Sequence, residues 1–301
     1  MSYPDLRVKI YGSRGSYSPT VGNATSIGVN TTCFRIDIGS HVLIFDAGSG
    51  IINCGQDLVR EMFAKPPAEQ HWTTHLFFTH MHIDHLVGFP YFAMLYMPKS
   101  QIHFIAPRIM DYQLEEVLNT FMHPPYFPVS MQDLPFRGDY HDIAENKTVF
   151  FYEDRFEIIP AIAAAPGDWL AKITNMRNYM HPKGGSHFYR IESRSGKVVV
   201  IASDTEGFVG GDQRLVQFAK EADLLMHDAQ YTPEDYGKFQ GFGHSTYEMA
   251  CDIAHQAGVK KLLLIHHDPK HDDEKLQTIE ANARKLFPQT HLASESMEFD
   301  F

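Results

Sequence analysis

Cysteine is scarce, long apolar runs are missing and basic residues never cluster, and each shortage narrows the reading of this chain. The three cysteines, Cys33, Cys54 and Cys251, show no CxxC spacing and form no even-numbered framework. They read as buried thiols of a reducing compartment. No apolar stretch approaches the roughly 18 residues that signal a membrane span. The start, Met1-Ser2-Tyr3-Pro4-Asp5, has neither the cationic flank nor the apolar segment of a secretory signal. A soluble cytoplasmic protein without a membrane partner is therefore expected. Lysine and arginine total 26 against 37 acidic residues, a formal charge of −11. The C-terminal half holds only the adjacent pairs Lys260-Lys261 and Arg284-Lys285 and no longer basic run, so the basic stripe that grips long nucleic acids is missing. A long polyanion is not expected as a partner. A small anionic substrate, met by locally bound cations, is favoured instead.

What is present suffices for a folded core, because 44% of the 301 residues are hydrophobic. Short β-prone runs occupy 6–11, 32–38 and 41–45, with Gly39-Ser40 as the turn between the last two. A helical pattern follows over 51–64 and stops at Lys65-Pro66-Pro67. An apolar strand over 76–79 leads to a predicted buried helix over 86–96, with Pro90 near its start. From 97 to 146 the pattern is less regular: a strand over 101–105, a helix over 111–121, then His123-Pro124-Pro125-Tyr126-Phe127-Pro128, whose prolines forbid a regular element. Strands are expected at 148–152, 156–165, 188–192 and 197–202. Three helix–strand units close the chain. Early strands followed by alternation predict two sheets covered by helices. One domain over 1–301, with an inserted lobe at about 97–146, accommodates the pattern.

Chemistry concentrates after the strand at 76–79, in His80-Met81-His82-Ile83-Asp84-His85. Four donors within six residues, imidazole and carboxylate without thiolate, suit zinc, manganese or iron. A strand that ends in such a loop aims several donors at one point. Further polar residues stand at strand ends or in adjoining loops: His181, Asp204, His227-Asp228 and His266. Polar residues after strands are common singly; together they place candidate ligands on one edge of a sheet arrangement.

Through His80-x-His82-x-Asp84-His85 the chain resembles the metallo-β-lactamase-fold hydrolases. It is most similar to their phosphodiesterase branch, which includes tRNase Z and the phosphoribosyl and cyclic-nucleotide phosphodiesterases. The likeness extends over Tyr11–Ser16, Phe45–Gly50, Ala202–Thr205, His227–Gln230, Gly243–Thr246 and His266–Pro269. It implies an α/β fold, a four-layer αβ/βα sandwich, and a centre of two divalent metals, zinc first and manganese as the alternative. His80, His82 and His181 would hold one metal. Asp84, His85 and His266 would hold the other, and Asp204 would bridge them. Asp84 would also orient the nucleophile, and Asp46 would stand behind the site. His244, with Asp228 orienting it, would protonate the leaving oxygen, and Ser245 is the expected cap of the helix that follows. The segment His181-Pro182-Lys183-Gly184 departs from the His-Pro-Gly-Gly of relatives, so His187 and His123 remain alternative third ligands. His267 and His271 read as supporting or surface groups.

The resemblance implies metal-hydroxide attack on phosphorus and, by analogy with relatives, a homodimer. A small diester such as a cyclic nucleotide fits the acidic composition, and Tyr126 and Phe127 offer aromatic faces for a base. Alternatives are a tRNA 3′-processing endonuclease, a phosphoribosyl cyclic phosphodiesterase, or a non-catalytic metal-bearing sensor or scaffold.

Overall fold

The computed structural model describes residues 5–19, 26–108, 112–163 and 167–301. The N-terminal half supplies one sheet: β1 (Arg7–Gly12), β2 (Cys33–Ile38), β3 (His41–Phe45), β4 (Thr73–Phe77), β5 (Gln101–Pro107) and β6 (Arg137–Ile143). The second sheet comprises β7 (Lys147–Phe151), β8 (Phe156–Pro160), β9 (Ala171–Asn178), β10 (Ser186–Ser193), β11 (Val198–Ala202), β12 (Leu224–Asp228), β13 (Leu262–Ile265) and β14 (Thr290–Leu292). The last strand, β15 (Glu298–Asp300), returns to pair with β1, so the orders are β15-β1-β2-β3-β4-β5-β6 and β14-β13-β12-β11-β10-β9-β7-β8.

Helices α1 (Gly50–Phe63) and α2 (Leu114–Phe121) cover the first sheet; α3 (Gln213–Phe218), α5 (Tyr247–Ala257) and α6 (Asp273–Leu286) cover the second, and α4 (Pro233–Phe239) precedes α5 in the chain. Between the sheets, Leu43, Phe45, Phe77 and Ile105 meet Ile173, Tyr189, Ile201, Met226 and Ile265. The outer face of β3 and β4 gives Ile44 and Leu76 to the helical layer. Strands buried on both faces need unbroken apolar sequence, as in Val198–Ala202 and Leu262–Ile265. The result is the expected four-layer αβ/βα sandwich. In each sheet a parallel set, β3 to β6 and β11 to β14, supplies strand ends from which loops can converge.

Three details differ from the sequence expectation. The stretch 86–96 is no helix. Short 3-10 turns at Phe89–Tyr91 and Ala93–Tyr96, after one at Ile83–His85, carry it, because Pro90 lacks the N–H a longer helix requires. Phe89, Phe92 and Leu95 are nevertheless buried in the outer core. Within 97–146, β5 and β6 pair in parallel along seven residues and extend the first sheet. Strands β6 and β9 lacked an apolar signature, since RGDYHDI and AKITNMRN show polar groups at most positions. The strand expected over 156–165 ends at Pro160, and its positions 164 and 165 lie outside the described residues, as does position 111, the start of the expected helix before Leu114.

Candidate metal centre

Each site residue leaves the end of a strand or opens the next element. Asp46 follows β3, Thr79 to His85 follow β4, His181 lies between β9 and β10, Asp204 follows β11, Asp228 ends β12, His244 precedes α5 and His266 follows β13. Asp46, Asp204 and His266 hold φ of 64°, 51° and 60°. This left-handed conformation is rare for residues with a side chain and is concentrated here at the functional edge. It turns the chain sharply enough to send three strand exits toward one point. Gly15 leaves room for that packing: a Cβ there would fall on the His266 ring.

The donors assemble into two groups. In one, His80, His82 and His181 bring ligand atoms within 4.8 Å of one another; in the other, Asp84, His85, Asp204 and His266 do so. His181 Nε2 and His82 Nδ1 are 2.9 Å apart. Asp204 faces both groups: Oδ1 is 3.2 Å from His85 Nε2, while Oδ2 is 3.3 Å from His266 Nε2, 3.6 Å from His80 Nε2 and 3.8 Å from His181 Nε2. Asp84 Oδ2 lies 3.1 Å from His266 Nε2 and accepts the Ser16 N–H at 2.8 Å.

The outward nitrogens fix the tautomers. His85 Nδ1 donates to Asp46 at 2.8 Å, His181 Nδ1 to the Gly243 carbonyl at 3.0 Å and His266 Nδ1 to the Gln230 amide oxygen at 2.9 Å. A neutral imidazole bonded this way points its other lone pair inward, the arrangement metal-binding histidines adopt. Lone pairs of His85 and His266 then face carboxylate oxygens, and the buried Nε2 atoms of His80 and His85 have no hydrogen-bond partner among the described residues. A cation between them resolves both conflicts. The residues therefore fit two divalent ions on the chemistry of the donor set. Without cations, burial acts to lower the His85 pKa, but Asp204, Asp84 and Asp46 raise it well above its ordinary value. Burial and the neighbouring His85 hold His80 well below its own.

His244 stands at the mouth of the centre. Its Nδ1 donates to Asp228 Oδ2 at 2.7 Å, and its ring stacks on His266 with centroids 4.8 Å apart. Burial opposes the charged form, yet Asp228 outweighs it and raises the imidazole's pKa to about 9. Asp228 is itself held by the N–H groups of Thr205, Gln230 and Ser245. Thr246, and not Ser245, caps α5 by accepting the Met249 N–H. Ser245 instead donates to the Thr205 carbonyl.

The alternative third ligands lie elsewhere. His187 bonds Asn175 and His123 bonds the carbonyl of the adjacent Pro124; neither joins a donor group among the described residues. His267 donates to the Ala293 carbonyl at 3.0 Å, and His271 lies 3.5 Å from Asp235. Four positioning contacts escaped the sequence reading. Thr79 reaches His80, Gln230 orients His266, and the Gly243 carbonyl orients His181. Glu206 accepts the Gly241 and Gly243 N–H groups and so steadies that carbonyl. Gln230 and Gly243 lay within segments of the resemblance; Thr79 and Glu206 gave no sequence signal.

Residues 49–267 match the model of the β-lactamase superfamily domain, more than half of the chain. The chain belongs to the β-lactamase superfamily. Among curated members, a Ribonuclease Z of Thermoplasma acidophilum is 25% identical over 320 residues, covering 98% of this chain and 96% of the relative. Solved structures share the fold. A diphosphatase from the PhnP family superposes with a TM-score of 0.65 at 15% identity, and the short form of human tRNase Z with 0.61 at 20%; each comparison covers 98% of both chains. The chain is thus a superfamily member with a dinuclear donor set and an imidazole–carboxylate pair beside it.

Proposed function

We propose that this superfamily member is a metal-dependent hydrolase of phosphodiester bonds acting on a small diester such as a cyclic nucleotide. The observation that carries the reading is the His244–Asp228 pair, 2.7 Å apart and stacked against the donor group of His266. Cleaving a phosphate ester needs a proton at the leaving oxygen and positive charge at phosphorus, and these residues offer both at one place. His80, His82 and His181 would hold one divalent ion, Asp84, His85 and His266 the other, with Asp204 between them. Bound there, the ions would supply Lewis-acid stabilisation of phosphoryl oxygens and activation of water near neutral pH. His244 keeps its proton on the free Nε2 and gives it to the leaving oxygen. Asp228 retains the Nδ1–H and stabilises the imidazolium before transfer. Asp84, fixed by the Ser16 N–H, orients the attacking water.

The formal charge of −11 and the missing basic run favour the small diester. One observation favours a second reading, a tRNase Z-type endonuclease: the relatives of nearly full coverage are named Ribonuclease Z. Zinc first and manganese second, a homodimer and a cytoplasmic setting complete the proposal. Protein reconstituted with either metal would be given cyclic mononucleotides, cyclic dinucleotides and pre-tRNA, with bis(p-nitrophenyl) phosphate as a generic diester. Hydrolysis of cyclic nucleotides is expected. Cleavage of pre-tRNA alone overturns the small-diester reading, and turnover of none overturns the hydrolase itself.

A further inference from the structure

The metal-bearing edge opens into two connected spaces. A cavity of about 170 Å³ is lined by His80 and His82 on one side and by Lys183 and Gly185 on another. It shares Met81, Tyr112 and Val117 with a wider trough of about 650 Å³. That volume lies in the range of small-ligand sites, about 300–1,000 Å³. Ile83, Phe121 and Tyr126 continue the trough, and Ile83 and Tyr126 leave 65% and 78% of their surface exposed. Among its described lining residues Glu116 alone is charged, and its carboxylate accepts the Gln113 N–H at the start of α2. A contiguous apolar surface of this kind, running into a polar centre, marks a binding face.

Lys183 is the second observation. It holds φ of 55°, followed by Gly184 at 122° and Gly185 at 79°. Glycine adopts such a backbone freely, whereas a lysine there is strained, and strain retained beside a site is a pointer to function. Among the described residues no ion pair engages its ammonium. Among the described residues the cavity thus has one free cationic side chain across from the histidines, and none continues along the trough.

We propose that the trough holds the apolar part of one ester substituent of the substrate, a flat uncharged aryl ring or a nucleobase carried on its sugar, while Lys183 pairs with the phosphate at the mouth of the metal centre. This rests on the phosphodiesterase reading and deepens it into a substrate class. A polynucleotide laid along the same path would bring further phosphates past Glu116 with no cation to meet them. A single diester with an apolar arm meets no such conflict. Val117, half-buried and common to both spaces, sets the passage between them.

Calorimetry on zinc-loaded protein with diphenyl phosphate and dimethyl phosphate separates the contributions without turnover. Diphenyl phosphate is expected to bind at least tenfold more tightly. Val117→Gln should abolish that preference while leaving dimethyl phosphate unchanged, and Lys183→Gly should weaken both ligands several-fold alike. A preference below twofold, or one that survives Val117→Gln, overturns the trough assignment. So does a Val117→Gln or Ile83→Asp variant that turns a dimer into a monomer with both affinities intact, because the trough is then an interface between copies. An unchanged affinity in Lys183→Gly overturns the role of the lysine. Failure to hydrolyse any diester speaks against the phosphodiesterase reading alone, since these binding outcomes do not depend on it.

Discussion

Replacing Asp228 by asparagine removes the charge that keeps a proton on His244 while leaving an oxygen for its Nδ1–H. In the metal-free protein the imidazole's pKa is raised from 6.5 to about 9, with burial opposing and the Asp228 charge and hydrogen bond prevailing. One pKa unit is about 1.4 kcal/mol, so the imidazolium is stabilised by about 3 kcal/mol. Asp204 and Asp84 contribute in the same direction after Asp228. Bound cations cancel those two contributions, so the loaded enzyme should show an alkaline limb between 6.5 and about 9. In Asp228→Asn, burial acts unopposed by that charge and the limb moves to lower pH. General acid catalysis typically supplies about 10²–10⁴ in rate, so kcat at neutral pH should fall by at least about a hundredfold. The assay is kcat against pH for two diesters, one releasing an alkoxide and one releasing p-nitrophenolate. An alkoxide needs the proton and a nitrophenolate scarcely does, so the loss should be confined to the first. Equal loss with both leaving groups, or an alkaline limb that does not move, would refute the assignment of His244 as proton donor.

Two further outcomes concern a group that supports a metal ligand and a cluster at the far end of the first sheet. Gln230→Ala frees His266 to rotate, and removal of such an orienting partner typically costs about 10–100-fold in metal affinity. Competition with a chromogenic chelator checks this, and an unchanged affinity would remove Gln230 from the site. At the opposite end of the first sheet His41, His75, His103 and His141 form a ladder, with centroid steps of 5.4, 5.1 and 5.4 Å, flanked by Asp139, Glu153 and Asp154. Burial, then His103 and His41, hold His75 well below 6.5. The unfolded chain therefore binds the proton first, and stability falls as pH drops below about 6.5, by up to about 1.4 kcal/mol per pH unit for this group. His75→Phe should flatten the acid side of the urea-midpoint profile relative to the wild type; parallel profiles would count against the ladder as an acid-labile element.

The parts of the molecule legible in sequence were those in which one local pattern suffices. Val198–Ala202 and Leu262–Ile265 are unbroken apolar runs because both their faces are buried, and the donors His80 to His85 lie within one loop. The parts that escaped depend on contacts distant in sequence. Strand β6 is polar yet seated beside β5, and Gly243 orients His181 across 62 residues. The helix expected over 86–96 does not form because Pro90, noted near its start, interrupts the whole segment and not its first turn alone. Burial of Phe89 and Leu95 is satisfied by 3-10 turns as well as by a helix. Similarly, no sequence pattern reveals that Asp46, Asp204 and His266 are left-handed.

Those strained exits and the opposed lone pairs around Asp204 make the metal-free site a burden on the fold, and protons are the remaining remedy. The pKa of His85 is raised well above 6.5, with burial opposing and Asp204 and Asp84 prevailing, and that of His244 reaches about 9. A group whose folded pKa exceeds its unfolded value stabilises fully below the unfolded pKa and loses that contribution as pH rises through the folded one. Chelated protein should therefore lose stability as pH rises from about 6.5 toward 9, by up to about 1.4 kcal/mol per pH unit for each group. His80, His82 and His181 are lowered, so in this window they are neutral folded or unfolded and add no slope. In the loaded protein cations replace the proton at His85, leaving only the smaller share of His244, and the profile should be nearly flat. Metal at a thousandfold excess over its Kd adds about 4 kcal/mol, so the two curves should also diverge as pH rises. Denaturant midpoints with and without chelator across this range decide the matter. Equal slopes in both would mean that no cation takes the place of those protons, and the donor set would lose its claim to a dinuclear centre.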